Sequence, residues 1–250
     1  MNSLKADNPY DIAIVGSGIA SSILSCVLAK QGLNVIMIEA KQHPRFAVGE
    51  SLILEASEMM RSIATFFDVP EIAQFSSEYR FEDIGTTHGV KRHFGFLHHE
   101  EGKEQDVDNT LQAVIPKHPH GHELHLFRQD SDMKLVKLAI SLGVTFLDKS
   151  LIREIEFTKR GVVIHPPNQQ AIKANYVVDS TGYNSILAKK FNLRTTEGLQ
   201  THSRALFTHM SDVLPFSKLG SVDKDDTLPF KMEEGTIPVS YTHLRAHETT

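Results

Sequence analysis

The chain has 250 residues, 40% hydrophobic and 23% charged, enough to bury a sizeable core in one domain or two closely joined ones. A formal net charge of −5 with no Lys/Arg block argues against nucleic acid as a partner, and the lone Cys26 excludes a disulfide framework within the monomer. No segment approaches the roughly 20 apolar residues of a membrane span, and the amino terminus, Met1 to Pro9, carries Asp7 and no signal-like apolar stretch, so a cytoplasmic enzyme is expected.

The first predicted element is an apolar strand, Tyr10 to Val15, running into Gly16-Ser17-Gly18-Ile19-Ala20-Ser21. A helix follows, and a second apolar strand, Val35 to Ile38, closes on Glu39. Strand, glycine turn, amphipathic helix, strand and acid, in that order, make a dinucleotide-binding βαβ unit. Gly16 lets the chain turn sharply, Gly18 lets the backbone approach a pyrophosphate, and the amides opening the helix at Ile19 and Ala20 face the phosphates. Ser21 stands where a third glycine is usual; it is small enough to keep helix and strand close. Glu39 is placed to accept hydrogen bonds from an adenosine ribose, and its charge disfavours a 2′-phosphate. FAD or NAD is therefore expected rather than NADP. Cys26, within the first helix, reads as a small core residue.

Next comes a loop, Lys41 to Leu52, in which Pro44 and Gly49 stop regular structure, and then a helix over Leu52 to Phe67 with apolar residues at helical spacing. Ser51 precedes that run and reads as its N-cap. Residues 80–125 change character, with histidines, glycines and short β-prone runs such as Phe94 to Leu97. Within them His118, His120, His122 and His125 form the one metal-like cluster, but Pro119 and Gly121 interrupt it, so a solvated loop is expected and no metal is assigned. Arg128 stands just ahead of a helix over about Asp130 to Leu142, with Gly143 as terminator. Short strands are expected over Val144 to Leu147, Ile152 to Phe157 and Val162 to His165. A strand over Ala171 to Val178 then ends at Asp179-Ser180-Thr181-Gly182, before a short helix from Ser185 to Phe191. One more strand is expected from His202 to Met210.

The fold class expected is α/β: a Rossmann-like FAD-binding domain, residues 1–78 and 126–195, interrupted by a second, mainly β substrate domain, residues 79–125 and 196–238. The last stretch, 239–250, has no core pattern and resembles a translated sequencing-adaptor tail.

Several strings together resemble the flavin-dependent halogenases and their relatives among the FAD-dependent monooxygenases. They are Gly16-Ser17-Gly18-Ile19-Ala20, Glu39, Pro44-Arg45-Phe46 with Gly49-Glu50-Ser51, Phe127-Arg128-Gln129-Asp130, Asp179-Ser180-Thr181-Gly182 and Leu206-Phe207-Thr208-His209. Pro-Arg-Phe-x-x-Gly-Glu-Ser discriminates best. The resemblance implies that Arg45, Gly49, Glu50 and Ser51 lie against FAD, that Arg128 approaches its phosphates or ring, and that Asp179 and Gly182 form a second FAD fingerprint. The residues themselves also allow a surface ion pair of Arg128 with Asp130 or Asp132 and an ordinary turn at Asp179.

The resemblance further implies that Lys91, in Gly89-Val90-Lys91-Arg92-His93-Phe94-Gly95-Phe96, reacts with or hydrogen-bonds hypohalous acid made at the flavin, although its glycine is displaced from the usual spacing. A small organic substrate, O₂, chloride or bromide, and a separate flavin reductase are the implied partners. A hydroxylase reduced by NAD(P)H and a non-catalytic flavin-binding fragment are the alternatives. The family's Trp-x-Trp-x-Ile-Pro motif has no counterpart, because the chain contains no tryptophan; an amino-terminal fragment of a longer enzyme is expected.

Overall fold

The computed structural model describes residues 9–91, 93–97, 100–104, 110–115, 117–167, 169–200, 208, 209 and 212. The chain divides into two units, one of residues 1–89 with 124–195 and the other of 90–123 with 196–250.

The first unit opens with β1 (Tyr10–Val15), α1 (Ile19–Lys30), β2 (Val35–Ile38) and α2 (Leu54–Phe66), followed by short 3-10 turns and a one-turn α3 (Phe81–Ile84). After the second unit's segment it resumes with α4 (Arg128–Ser141). The strand at Thr145–Leu147, here β7, the hairpin strands β8 (Ile155–Thr158) and β9 (Gly161–Ile164), then β10 (Ile172–Asp179) and α5 (Ile186–Lys190) complete it. Its sheet has the order β7-β2-β1-β10-β9-β8. β7, β2, β1 and β10 run parallel, while β9 and β8 are antiparallel to their neighbours.

β2, and β1 from Ile12 onward, read as continuous apolar runs because the sheet is covered on both faces. On one side Ile14, Val35 and Met37 pack with Ile23 and Val27 of α1 and Leu135 and Val136 of α4. On the other, Ala13, Val15, Ile36 and Ile38 pack with Ile152, Ile155 and Ile164. Each fully buried aliphatic side chain contributes roughly 1.5–3 kcal/mol. Ser22 and Ser25 of α1 are also buried, with their hydroxyls donated to the carbonyls of Ser17 and Ser21. Cys26 is fully buried and its thiol is pushed up to about 12, chiefly by that burial, which suits an inert core residue.

The parallel strands deliver Gly16, Glu39 and Ser180 to one edge of the sheet, the carboxyl-end crevice where α/β folds bind ligands. Among the described residues no helix is long and apolar enough to cross a membrane.

In the second unit β4 (His93–Leu97) pairs antiparallel with β5 (Thr110–Val114), His93 facing Val114 and Leu97 facing Thr110. β3 (Gly89–Lys91) and β6 (Glu123–His125) are short strands of a separate two-stranded sheet, each spanning a point where the chain passes from one unit to the other.

Four expectations need correction or lie beyond view. The first unit extends to Gly89 rather than to residue 78, because Ile84 is buried in the same apolar cluster as Ile72 and Phe75. The helix expected from Leu52 begins at Leu54, and Ser51 is not its N-cap; Ile53 holds that place, in extended backbone and without a side-chain cap. Residues 50–52 instead lie extended against the segment at 124–126, through Leu52 N–H to Leu124 O and Leu126 N–H to Glu50 O, with Ser51 bridging His125. Arg128 is the first residue of its helix, which starts earlier than Asp130, with Phe127 as N-cap. The strand expected over His202 to Met210, the substrate-domain residues beyond it and the 239–250 tail lie outside the described residues, apart from Thr208, His209 and Asp212.

Candidate dinucleotide site

The glycine turn is built by long-range constraint as well as by local preference. Gly16 has φ +111°, and a Cβ there would overlap the carbonyl oxygen of Ser180, which β10 brings alongside through Ser180 N–H to Val15 O at 2.8 Å. Only glycine satisfies both demands. Gly18 is different. Its backbone, φ −76° and ψ −177°, suits any residue, and a Cβ would meet only Arg128 Nη2 at 3.8 Å. The protein does not fill the space beside Gly18, and a guanidinium borders it. A pyrophosphate at the helix amino terminus fits such a cradle.

Glu39 is buried, 6% exposed, and its carboxylate is strongly engaged. Oε2 accepts from Ser17 N–H at 3.1 Å and Ser17 Oγ at 2.6 Å and pairs with Arg45 Nη2 at 3.2 Å; Oε1 accepts from Lys41 N–H at 3.0 Å. Burial alone would raise this carboxyl's pKa, but the Ser17 hydroxyl, the Lys41 amide and the Arg45 charge together bring it below the ordinary value. Glu39 is therefore an anion in the folded protein.

Arg45 also stands 3.8 Å from Asp132, a fully buried carboxylate on α4. Asp132 accepts in turn from Arg128 Nε at 2.7 Å and Nη2 at 3.0 Å. Arg128 Nη1 reaches across to the carbonyls of Val48 and Gly49, the latter at 3.2 Å. Glu39, Arg45, Asp132 and Arg128 thus alternate in sign in a chain running from the end of β2 to Gly18. The two arginines tie the 44–51 loop to Glu39 at the end of β2 and to Asp132 on α4, and Gly49, at φ +87°, lies where Arg128 Nη1 would be 3.5 Å from a Cβ. Arg45 Nε is a buried donor without a partner among the described residues.

Val15, Gly16, Glu39, Arg45, Ile152 and Thr181 are among the residues lining a cavity of about 880 Å³, which lies wholly within the first unit. Lys41, Arg153, Lys189 and Lys190 also line it. A crevice with a carboxylate at the end of β2 and cationic side chains around it suits an adenosine diphosphate moiety.

Asp179 is occupied otherwise. Oδ1 accepts from Thr181 N–H at 3.0 Å and Thr181 Oγ1 at 2.7 Å, and Oδ2 from Leu187 N–H at 2.8 Å, so the carboxylate stitches the turn to α5. Burial raises its pKa, but these donors outweigh that and hold it below the usual range. The ordinary-turn reading accounts for its contacts. Gly182, at φ +63°, has nothing within 4 Å of a would-be Cβ. In the second unit Lys91 is 6% exposed and its Nζ lies 3.5 Å from Glu123 Oε2. Among the described residues no three His, Cys, Asp or Glu side chains could hold a metal, and His118 and His120 are exposed.

Residues 11–101 match the tryptophan halogenase family. The chain is 37% identical over 232 residues to the monodechloroaminopyrrolnitrin halogenase PrnC of Pseudomonas fluorescens, covering 92% of this chain and 40% of that protein. It is 37% identical over 212 residues to the tetracycline 7-halogenase of Kitasatospora aureofaciens, covering 83% and 38%. The chain is a homologue of the flavin-dependent halogenases. Its fold agrees: the structure of halogenase PltM in complex with phloroglucinol and FAD superposes with a TM-score of 0.72 at 36% identity, over 77% of this chain and 38% of that one. The chain spans about 40% of the length of the curated relatives it matches.

The sequence places Gly16, Gly18, Glu39, Arg45, Gly49 and Arg128 in one neighbourhood, and the fold brings them together. Sequence reasoning missed three supporting residues: Ser17, His43 and Asp132. Ser17 was legible only as the small residue between two glycines. The signal for Asp132 was its spacing of four from Arg128 on one helix face, which sequence reasoning treated as a competing surface ion pair. Asp132 is instead fully buried and serves both arginines.

Proposed function

We propose that this chain is the FAD-binding amino-terminal part of a cytoplasmic oxidoreductase that halogenates a small organic substrate, consuming O₂ and chloride or bromide, with reduced flavin supplied by a separate reductase. The observation that carries the reading is the 44–51 loop, tied by Arg45 to Glu39 and by Arg128 to α4, with the Arg128 guanidinium bordering the space beside Gly18 that a pyrophosphate would occupy. FAD fits these residues: the Gly18 cradle and Arg128 suit its diphosphate, and Glu39 suits its ribose. Bound FAD would supply the redox chemistry, turning O₂ into an oxidant for halide. The chain's own residues bind, orient and fix the loop.

Lys91 carries the halogen-handling role. Its Nζ, 3.5 Å from Glu123 Oε2, is oriented by that carboxylate and can donate a hydrogen bond to hypohalous acid. Phloroglucinol, the ligand of the similar PltM structure, serves as probe substrate.

The test uses the complete protein with a flavin reductase. Lys91→Ala is expected to bind FAD and reoxidise reduced flavin at near wild-type rates while losing halogenated product about 100-fold or more, equivalent to roughly 2.7 kcal/mol of barrier. Retained FAD binding shows that the variant is folded. Halogenation by the variant within a few-fold of wild type would make Lys91 a structural residue. Hydroxylated product, indifferent to halide, would favour the NAD(P)H-dependent hydroxylase.

A further inference from the structure

Ser17 and His43, which neither the glycine fingerprint nor the Pro-Arg-Phe string assigns, meet behind Glu39. Ser17 is fully buried and His43 is 6% exposed. His43 Nε2 lies 2.6 Å from Ser17 Oγ, and the same Oγ lies 2.6 Å from Glu39 Oε2. The single hydroxyl proton of Ser17 goes to the carboxylate, so His43 must be the donor in its contact with Ser17. The ring is then neutral with its proton on Nε2, and Nδ1 is a bare nitrogen with no partner among the described residues. A second proton on Nδ1 would be a buried donor with nothing to accept it.

We propose that Ser17 and His43 are positioning residues for Glu39, locking one carboxylate oxygen so that the other is presented to the ribose of the bound dinucleotide. Oε2 is saturated by Ser17 N–H, Ser17 Oγ and Arg45, whereas Oε1 has one donor, Lys41 N–H, and keeps capacity for a ribose hydroxyl. Three points spaced along the chain, the glycine turn, the end of β2 and the loop at 43, are thereby tied to one carboxylate. Ring neutrality is supported by the surroundings: burial and the Arg45 charge depress the imidazole pKa against the opposing pull of Glu39, Asp132 and Asp148. His43 also sits beside Phe146 of β7, ring centroids 6.2 Å apart, which limits its movement.

The inference rests on the reading of Glu39 as the ribose acceptor, and a double-mutant cycle separates the two. Affinity for FAD and for ADP is measured by titration of the complete protein. Glu39→Ala is expected to weaken both by about 10- to 100-fold, in line with loss of a hydrogen bond to a charged group. His43→Leu is expected to weaken both by about 10-fold, and Ser17→Ala, which removes one oxygen atom and needs no repacking, by a similar factor. His43→Gln, whose amide nitrogen can take the place of Nε2, should stay within about 3-fold of wild type. In the Glu39→Ala background, His43→Leu and Ser17→Ala should cost nothing further, because the residue through which they act is gone. If Glu39→Ala leaves affinity unchanged, the ribose reading fails and the inference with it. If Glu39→Ala weakens binding but the other losses are absent, or multiply fully onto it, the ribose reading stands and the positioning role is overturned.

Discussion

Asp132→Ala is expected to destabilise the protein by about 3 to 5 kcal/mol, the cost of breaking a buried ion pair from one side. Asp132 is fully buried on α4, and its carboxylate is the counter-charge to Arg128, through two hydrogen bonds, and to Arg45. Without it, the mostly buried Arg128 loses its carboxylate partner, while Arg45 keeps only Glu39. Asp132→Asn keeps the shape and loses the charge, and should fall between wild type and Ala. Urea denaturation followed by circular dichroism measures both. A loss below about 1 kcal/mol for Asp132→Ala, the value of an exposed pair, would mean that Asp132 is not the counter-charge Arg128 depends on.

The two glycines of the turn should part company. Gly16→Ala combines a positive φ with an overlap on the Ser180 carbonyl, whose carbon would lie 2.7 Å from the new Cβ. Left-handed strain and overpacking against backbone together cost on the order of 3 to 5 kcal/mol. Because β10 is hydrogen-bonded to β1 along its length, moving it away is not a cheap escape. At Gly18 a new Cβ meets only Arg128 Nη2, at an ordinary van der Waals distance of 3.8 Å, so Gly18→Val should change stability by about 1 kcal/mol or less. Yet the branched side chain fills the space assigned to the pyrophosphate, and FAD affinity should fall by about 100-fold or more, roughly 2.7 kcal/mol. Thermal unfolding and flavin titration on the same two variants give the comparison. A stable Gly16→Ala protein, or a folded Gly18→Val protein with normal affinity, would contradict the assignment of roles within the turn.

Much of the first fifty residues was legible because the signals there are local. Tyr10–Val15 and Val35–Ile38 are bounded as their apolar runs suggest, and the glycine turn lies between strand and helix. That the strand ending at Asp179 returns beside the first βαβ unit was legible only through the resemblance, and the adjacency of β7 to β2 was not legible, since register between strands more than a hundred residues apart leaves no periodic trace. Nor was the extended pairing of residues 50–52 with 124–126, which shortens α2 and displaces Ser51 from the capping role its position suggests. The same limit applies at the site. Glu39 and Gly18 could be named from spacing alone, whereas the partners of Glu39, at positions 17, 43 and 45, converge only after the loop folds back on the turn. Asp179 shows the converse: a residue singled out by resemblance whose carboxylate is spent on the amides and hydroxyl of its own turn and the next helix.

The most direct measurement is mass spectrometry of phloroglucinol incubated with the complete protein, FAD, a flavin reductase with its nicotinamide donor, O₂ and bromide. The expected product carries the paired isotope peaks of bromine and is absent without bromide or without the reductase. Steady O₂ consumption with an oxygenated, bromine-free product would contradict it.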